Sequence, residues 1–228
     1  MTIKKGDFIK IDYTGKTVEE EIVFDTTNEQ IGKKEGFDKE SYEPVIICVG
    51  QGQVIKGLDE DLVDKEINKD YSVKIIPEKA FGKKNSKDIQ LVPLSKFKKE
   101  NINPIPGLQV QIDNQNGIVK TVTGGRVMVD FNHPLSSKEV KYDYKILEKI
   151  EKDEEKIKGY FSSTFGIKDI DVNKTEKGYE ILTKNPMPDM IQEEFNKKLK
   201  EVISDKNEYT FSSKKDNITK SNEKDAKE

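Results

Sequence analysis

The chain has 228 residues, of which 33% are apolar and 36% charged, with a formal net charge of −3. That balance excludes one thick core and points to thin layers with much surface, while aromatic and β-branched residues recur too often for wholesale disorder. The two signs of charge are interspersed, which predicts no nucleic-acid partner, and no apolar run is long enough to cross a bilayer, which predicts no membrane partner.

Phe8 to Tyr13 alternates, with Ile9, Ile11 and Tyr13 on one face and Lys10 and Asp12 on the other, the pattern of a half-buried strand. Glu21 to Phe24 reads as a second strand. Asn28 to Tyr42, rich in Gly, Lys and Glu, reads as a loop, and Pro44 to Val49 as a third strand. Gly57 to Val63 reads as a short helix, its acidic residues near the start where the dipole favours them, and Leu58 and Leu62 turned towards the sheet. Tyr71 to Ile76 and Val140 to Ile146 complete this set of strands.

Between those last two strands lies a segment with its own pattern. Ile89 to Val92 is a short strand, and Leu94 to Lys99 a turn or two of helix. Leu108 to Ile112 is a strand that ends at a turn over Asp113 to Gly117. Ile118 to Thr123 and Arg126 to Phe131 flank Gly124-Gly125, a strong two-residue hairpin signal. This small β-meander over 86–129 returns to the first domain at both ends, so the outer domain is discontinuous, covering 1–85 and 130–150.

Beyond Ile150 the pattern changes. Lys152 to Phe161 opens a helix; Ile170 to Val172, Gly178 to Leu182 and Tyr209 to Phe211 read as strands. Pro188 to Ile203 is an amphipathic helix with Met190, Ile191, Phe195, Leu199, Val202 and Ile203 as its apolar stripe, either core or an interface for a homodimer. These elements form a C-terminal α+β domain over 151–211, and 212–228 reads as a disordered tail.

Conventional catalytic sets are absent. The single cysteine, Cys48, lies in the apolar run Val45 to Val49 and reads as a small buried side chain. A nucleophile–histidine set would have to use the only histidine, His133, which reads as a structural loop residue. One histidine makes no metal site of the common kinds. Gly50-Gln51-Gly52 lacks the remaining glycine of a nucleotide fingerprint, so no cofactor is predicted. The start of the chain carries no apolar leader, which with the lone cysteine predicts a cytoplasmic location.

What remains is an apolar constellation with one acid. Tyr13-Thr14-Gly15, Phe24-Asp25-Thr26-Thr27, Val49 through Asp59, Ala80-Phe81-Gly82 and Asn132-His133-Pro134-Leu135 occur in the order found in FKBPs. In these motifs, over about the first 150 residues, the chain resembles the FKBP-type peptidyl-prolyl cis-trans isomerases. Its insert is similar to the insert-in-flap domain of the chaperone-type SlyD proteins. The whole layout resembles the long archaeal FKBPs.

The resemblance implies an α+β fold: an antiparallel half-barrel around a short helix, with an inserted β-meander and the C-terminal α+β domain. It implies a catalytic set of Tyr13, Asp25 and the Ile55 backbone N–H, with Phe24, Val54, Leu58, Phe81 and Tyr142 walling a proline pocket. The residues alone leave a second reading open, in which Phe24, Val54, Leu58 and Tyr142 are core and Asp25 is a turn acid. In the insert, Leu91, Val92, Phe97, Ile102, Leu108 and Val110 are implied to form a groove for unfolded, proline-containing polypeptides, against the reading that most of them form its core. The competing function is a non-catalytic holdase or dimerising adaptor on the same scaffold. Leu58 stands where eukaryotic members carry tryptophan and Phe81 where many carry tyrosine, which implies weak macrolide binding. The C-terminal tail lacks the histidines of nickel-binding relatives.

Overall fold

The structure, a computed structural model, describes residues 2–39 and 41–213. Strands β1 (Phe8–Thr17) and β2 (Val23–Thr26) precede helix α1 (Glu29–Lys34), strand β3 (Val45–Cys48), helix α2 (Lys56–Asp61) and strand β4 (Asp70–Ile75). Strand β5 (Ile89–Pro93) leads to helix α3 (Leu94–Lys99), then β6 (Gln109–Ile112), β7 (Gln115–Thr123) and β8 (Arg126–Asp130). After β9 (Val140–Lys149) come helix α4 (Asp153–Phe165), β10 (Ile170–Lys174), β11 (Gly178–Thr183), helix α5 (Asp189–Val202) and β12 (Glu208–Ser213). This is a mixed α+β architecture of largely antiparallel sheets with few helices. Among the described residues no helix is long and apolar enough to cross a membrane.

The chain divides into two compact units. One comprises residues 2–16, Ile22–Val73 and 141–213; the other comprises Thr17–Glu21 and Lys74–Val140.

In the first unit a five-stranded sheet is built on β1. Its first half pairs antiparallel with β3 (Phe8 opposite Cys48, Ile11 opposite Val45), and its second half with β2 (Thr14 opposite Thr26, Gly15 opposite Asp25). On the other side of β1 the order continues through β9 to β4. The period-2 pattern works as the sequence predicts: Ile9, Ile11, Ile47 and Ile146 are at most 1% exposed, as are Leu58 and Leu62, one helical turn apart. Phe8, on the face of β1 opposite to Ile9, is buried too, because the C-terminal segment covers that face.

That segment contributes Ile157, Phe161, Ile181, Phe195, Leu199 and Tyr209 to one hydrophobic cluster with Phe8, Cys48 and Ile150. Residues 151–211, read from the sequence as a domain of their own, therefore share a core with the sheet. Helix α4 lies directly on β3: a Cβ placed on Gly159 would stand 2.4 Å from Ile46 Cγ2. Strands β10 and β11 are antiparallel, whereas β11 and β12 are parallel, with α5 as the crossover that a parallel pair requires. Phe195 and Leu199 of α5 are core, Val202 and Ile203 are partly buried against it, and Met190 is 79% exposed.

The second unit is a four-stranded antiparallel sheet in the order β5-β8-β7-β6, with α3 after β5. Gly124 and Gly125 join β7 to β8 with φ of 58° and 79°, the left-handed pair that a tight hairpin demands. Val92, Phe97, Val110, Val119, Val127 and Val129 form its core.

Some expectations need correction. The segment read as a loop contains α1, whose Asn28 side chain accepts the Ile31 N–H at 3.1 Å as an N-cap. The turn after β6 is shorter than Asp113 to Gly117. Only Asp113 and Asn114 turn, with φ of 51° and 63°, and Gly117 lies inside β7, where a Cβ would stand 2.6 Å from Val129 Cγ1. Ser212 and Ser213 belong to β12, not to a tail; the rest of the expected disordered tail, 214–228, lies outside the described residues.

Candidate functional site

The register of β1 against β2 sets Gly15 opposite Asp25 and brings an aromatic cluster together on one face. The Tyr142 ring from β9 lies 5.7 Å from the Tyr13 ring, tilted, and 5.8 Å from the Phe24 ring, edge to face. Gly15 makes the approach feasible. A Cβ there would come 2.8 Å from Phe24 Cζ and 3.0 Å from Tyr142 Cε1.

Asp25 sits at the edge of this cluster. The Tyr13 hydroxyl donates to Asp25 Oδ2 at 2.7 Å, and the Lys39 ammonium donates to Asp25 Oδ1 at 2.6 Å. Lys39 also donates to the Thr26 carbonyl at 2.9 Å and stands about 6 Å from the Phe37 and Tyr42 rings, within cation–π range. Each carboxylate oxygen has two lone-pair sites, and these bonds use one on each. Burial, reinforced by the Asp25 charge, pushes the Tyr13 and Tyr142 hydroxyls far above the ordinary tyrosine range. Both keep their protons at any physiological pH.

The strand ends beneath the site are pinned by hydroxyls. Thr26 and Thr27 are buried; the Tyr13 N–H donates to Thr27 Oγ1 at 2.8 Å, Thr27 Oγ1 donates to Asp12, and Thr14 and Thr26 share a hydrogen bond of 2.7 Å.

Val54 and Ile55 lie just before α2, both half-buried. Ile55 is the N-cap residue: its carbonyl accepts the Leu58 and Asp59 N–H groups at 3.0 Å each. Among the described residues its own N–H meets no acceptor. The preceding turn is held by Asp59, whose Oδ1 accepts the Gly50 N–H at 2.7 Å and whose Oδ2 accepts the Gly52 N–H at 3.1 Å. Gly50 and Gly52 take φ of 84° and 68°, which suits glycine.

The sequence-predicted residues thus fall into groups. Tyr13, Phe24, Asp25 and Tyr142 come together. Val54 and Ile55 stand on the loop entering α2. Leu58 is a core residue, 1% exposed, and offers no open surface as a pocket floor. Phe81 belongs to the second unit, where it stacks flat on His133 with ring centroids 4.8 Å apart. His133 also accepts the Leu135 N–H through Nδ1 at 3.2 Å, the structural role the sequence suggested. Lys39, Asp59 and Gln53 were missed by sequence reasoning. Lys39 carries no local signal, being one lysine in a lysine-rich stretch. Asp59, an acid one turn into a helix after Gly-Gln-Gly, did carry one.

In the second unit the implied groove residues divide. Val92, Phe97 and Val110 are core; Ile102 and Leu108 are partly buried against that core. Leu91 is 57% exposed, and so is Ile105 at 56%. A recess of about 710 Å³ is lined by Val110, Gly117, Ile118, Phe131, His133 and Pro134, with polar Gln109, Gln111, Asn116 and Asn132 around it.

Comparison with known proteins finds relatives for the larger part of the chain. The family model for FKBP-type peptidyl-prolyl cis-trans isomerases matches residues 1–98, and that for the FKBP26 IF domain matches residues 90–135. The chain is 33% identical over 150 residues to the short-type peptidyl-prolyl cis-trans isomerase of Methanocaldococcus jannaschii, covering 63% of this chain and 92% of that protein. It is 32% identical over 117 residues to a probable FKBP-type 16 kDa isomerase of Pseudomonas fluorescens, covering 49% of this chain and 75% of the relative. It is 34% identical over 122 residues to the FKBP-type isomerase SlyD of Helicobacter pylori, covering 51% and 65%.

Proposed function

This chain belongs to the FKBP-type peptidyl-prolyl cis-trans isomerases, a class of enzyme that acts on proline-containing polypeptides, and from that premise we propose how its own residues do the work and what its insert adds. The observation that carries the reading is the Asp25 carboxylate, held by the Tyr13 hydroxyl at 2.7 Å at the edge of the Tyr13–Tyr142–Phe24 aromatic cluster.

Rotation about an X-Pro bond makes and breaks no covalent bond, yet its barrier is about 20 kcal/mol because the twisted amide loses resonance. The twisted carbonyl is less polar than the planar one. A site that removes it from water and holds it in an apolar wall therefore binds the twisted state better than the ground state. Phe24, Tyr13 and Tyr142 supply that wall, extended by Val54. Leu58 supports it from the core. Asp25 acts on the twisting carbonyl as an electrostatic and orienting group. It is no proton shuttle, since its Tyr13 partner holds its proton firmly. The free Ile55 N–H donates to a substrate carbonyl and fixes the peptide backbone.

The insert, 86–129, binds unfolded chains and feeds them to the isomerase. Leu91 and Ile105 supply exposed apolar surface, Ile102 and Leu108 are partly buried, and Val92, Phe97 and Val110 hold its core. Tethering a client raises the local concentration of its prolines. The protein works in the cytoplasm, and exposed Met190 and Ile191 on α5 are its homodimer contact.

The wild type accelerates isomerisation of an Ala-Leu-Pro-Phe peptide in a protease-coupled assay; no rate above background defeats the reading. Deleting 86–129 leaves that rate largely intact and slows proline-limited refolding of a protein client. Equal losses in both assays would sink the chaperone role.

A further inference from the structure

The loop that carries Val54 and Ile55 is tied to the C-terminal segment by one side chain. Gln53 Oε1 accepts the Cys48 N–H at 2.6 Å. Its Nε2 donates to Ser163 Oγ at 2.7 Å and to Thr164 Oγ1 at 2.6 Å, both on α4. Only this amide orientation works, because the Cys48 N–H requires an oxygen opposite it; both Nε2 hydrogens are then used on α4. Ser163 is itself oriented, donating to the Gly159 carbonyl at 2.8 Å.

The anchor points at each end are packed against one another. Cys48 is buried at the end of β3, inside the cluster shared with α4 and α5. Gly159 lets α4 approach Ile46 closely: a Cβ there would stand 2.4 Å from Ile46 Cγ2. Gln53 therefore bridges β3 and the α4 packed on it, one residue before Val54 and two before Ile55. Neither family model extends to α4, since the two end at residues 98 and 135.

We propose that Gln53 is a positioning residue through which α4 sets the loop presenting the Ile55 N–H to substrate, making the C-terminal segment a working part of the isomerase. This rests on the reading of Ile55 as the backbone anchor. An anchoring hydrogen bond contributes alike to the bound ground state and the twisted state, so loosening it raises KM and spares kcat.

Three proteins test it: wild type, Gln53→Glu, which keeps the acceptor for Cys48 but loses both donors, and Ser163→Ala/Thr164→Val, which removes the acceptors and leaves Gln53 intact. Kinetics on Ala-Leu-Pro-Phe are read with the amide spectrum of the folded protein. Both variants are expected to raise KM roughly 3- to 10-fold with kcat within about 2-fold, and to shift the Ile55 amide. In the wild type, saturating peptide shifts both the Ile55 amide and the Gln53 side-chain NH2 signals. If peptide leaves the Ile55 amide unmoved, the anchor reading itself fails. If the Ile55 amide moves but the Gln53 side chain does not, or if both folded variants keep wild-type KM, the role of Gln53 is overturned. The wild-type spectra decide the matter even if a variant does not fold.

Discussion

The Lys39 ammonium lies 2.6 Å from Asp25 Oδ1, although fourteen residues separate the two in sequence. Both side chains keep more than a third of their surface open, so the pair is screened and contributes little to stability, below about 1 kcal/mol. Its consequence is orientation: Lys39 holds one carboxylate oxygen while Tyr13 holds the other. Lys39→Gln is expected to leave the urea midpoint nearly unchanged and to lower kcat/KM by roughly 2- to 5-fold, an effect that fades in high salt. A large loss of stability would show that Lys39 is a structural strut instead.

Gly15→Ala tests the aromatic cluster. The added methyl meets Phe24 and Tyr142 at 3.0 Å or less, so one ring must move. A stability loss of about 1–3 kcal/mol is expected from overpacking. The peptide isomerisation rate falls with it, while client binding by the insert is preserved.

Gly159→Val tests the shared core of sheet and C-terminal segment. Its side chain would displace Ile46 and lift α4 from β3. Cys48 reports the event: burial, helped by Asp59 and Asp7, pushes its thiol up to about 11, so it is unreactive at neutral pH while the interface is closed. The variant is expected to alkylate at Cys48 much faster than the wild type under native conditions. Truncation after Ile150 exposes Phe8, Cys48 and Ile150 together and is expected to give an aggregating chain, seen by light scattering. A well-folded monomer after truncation would contradict the shared core.

A pH dependence is expected in the second unit. Asp130 is buried, which alone would raise its pKa, but hydrogen bonds from Lys84 at 2.9 Å and from Asn132 hold it down at about 2, against 3.8 ordinarily. A carboxyl depressed in the folded state stabilises above its unfolded pKa and loses that contribution as pH falls from about 4 towards 2. The contribution at neutral pH is about 2 kcal/mol. Asp130→Asn is therefore expected to cost most at pH 6, about half as much at pH 3 and little below pH 2, followed by hydrogen exchange of the Val127 and Val129 amides.

The fold was legible where a local rule acts alone. Gly124-Gly125 read as a tight hairpin because glycine takes two left-handed positions without strain, and Ile9, Ile11 and Ile47 announced their buried face by alternation. Helix α1 was hidden because six residues ending in Gly-Lys-Lys have no apolar stripe, and Gly32 is there to let the Tyr42 ring approach. The burial of Phe8 and the partnership of Gln53 with Ser163 were illegible because each depends on a segment more than a hundred residues away. Within the site, the motifs named Tyr13, Phe24 and Asp25 and the resemblance named Tyr142, and the fold brings these four together. It could not find Lys39, nor tell that Val92, Phe97 and Val110 turn inwards while Leu91 turns out, since apolar content alone does not say which side of a strand is covered.

Asp25→Ala, measured in the protease-coupled Ala-Leu-Pro-Phe assay beside the wild type, tests the central claim most directly. The proposed mechanism predicts a folded protein whose kcat falls roughly 10-fold or more with KM little changed, because the carboxylate acts on the twisted amide and not on the bound ground state. A folded Asp25→Ala protein that retains the wild-type kcat would contradict it.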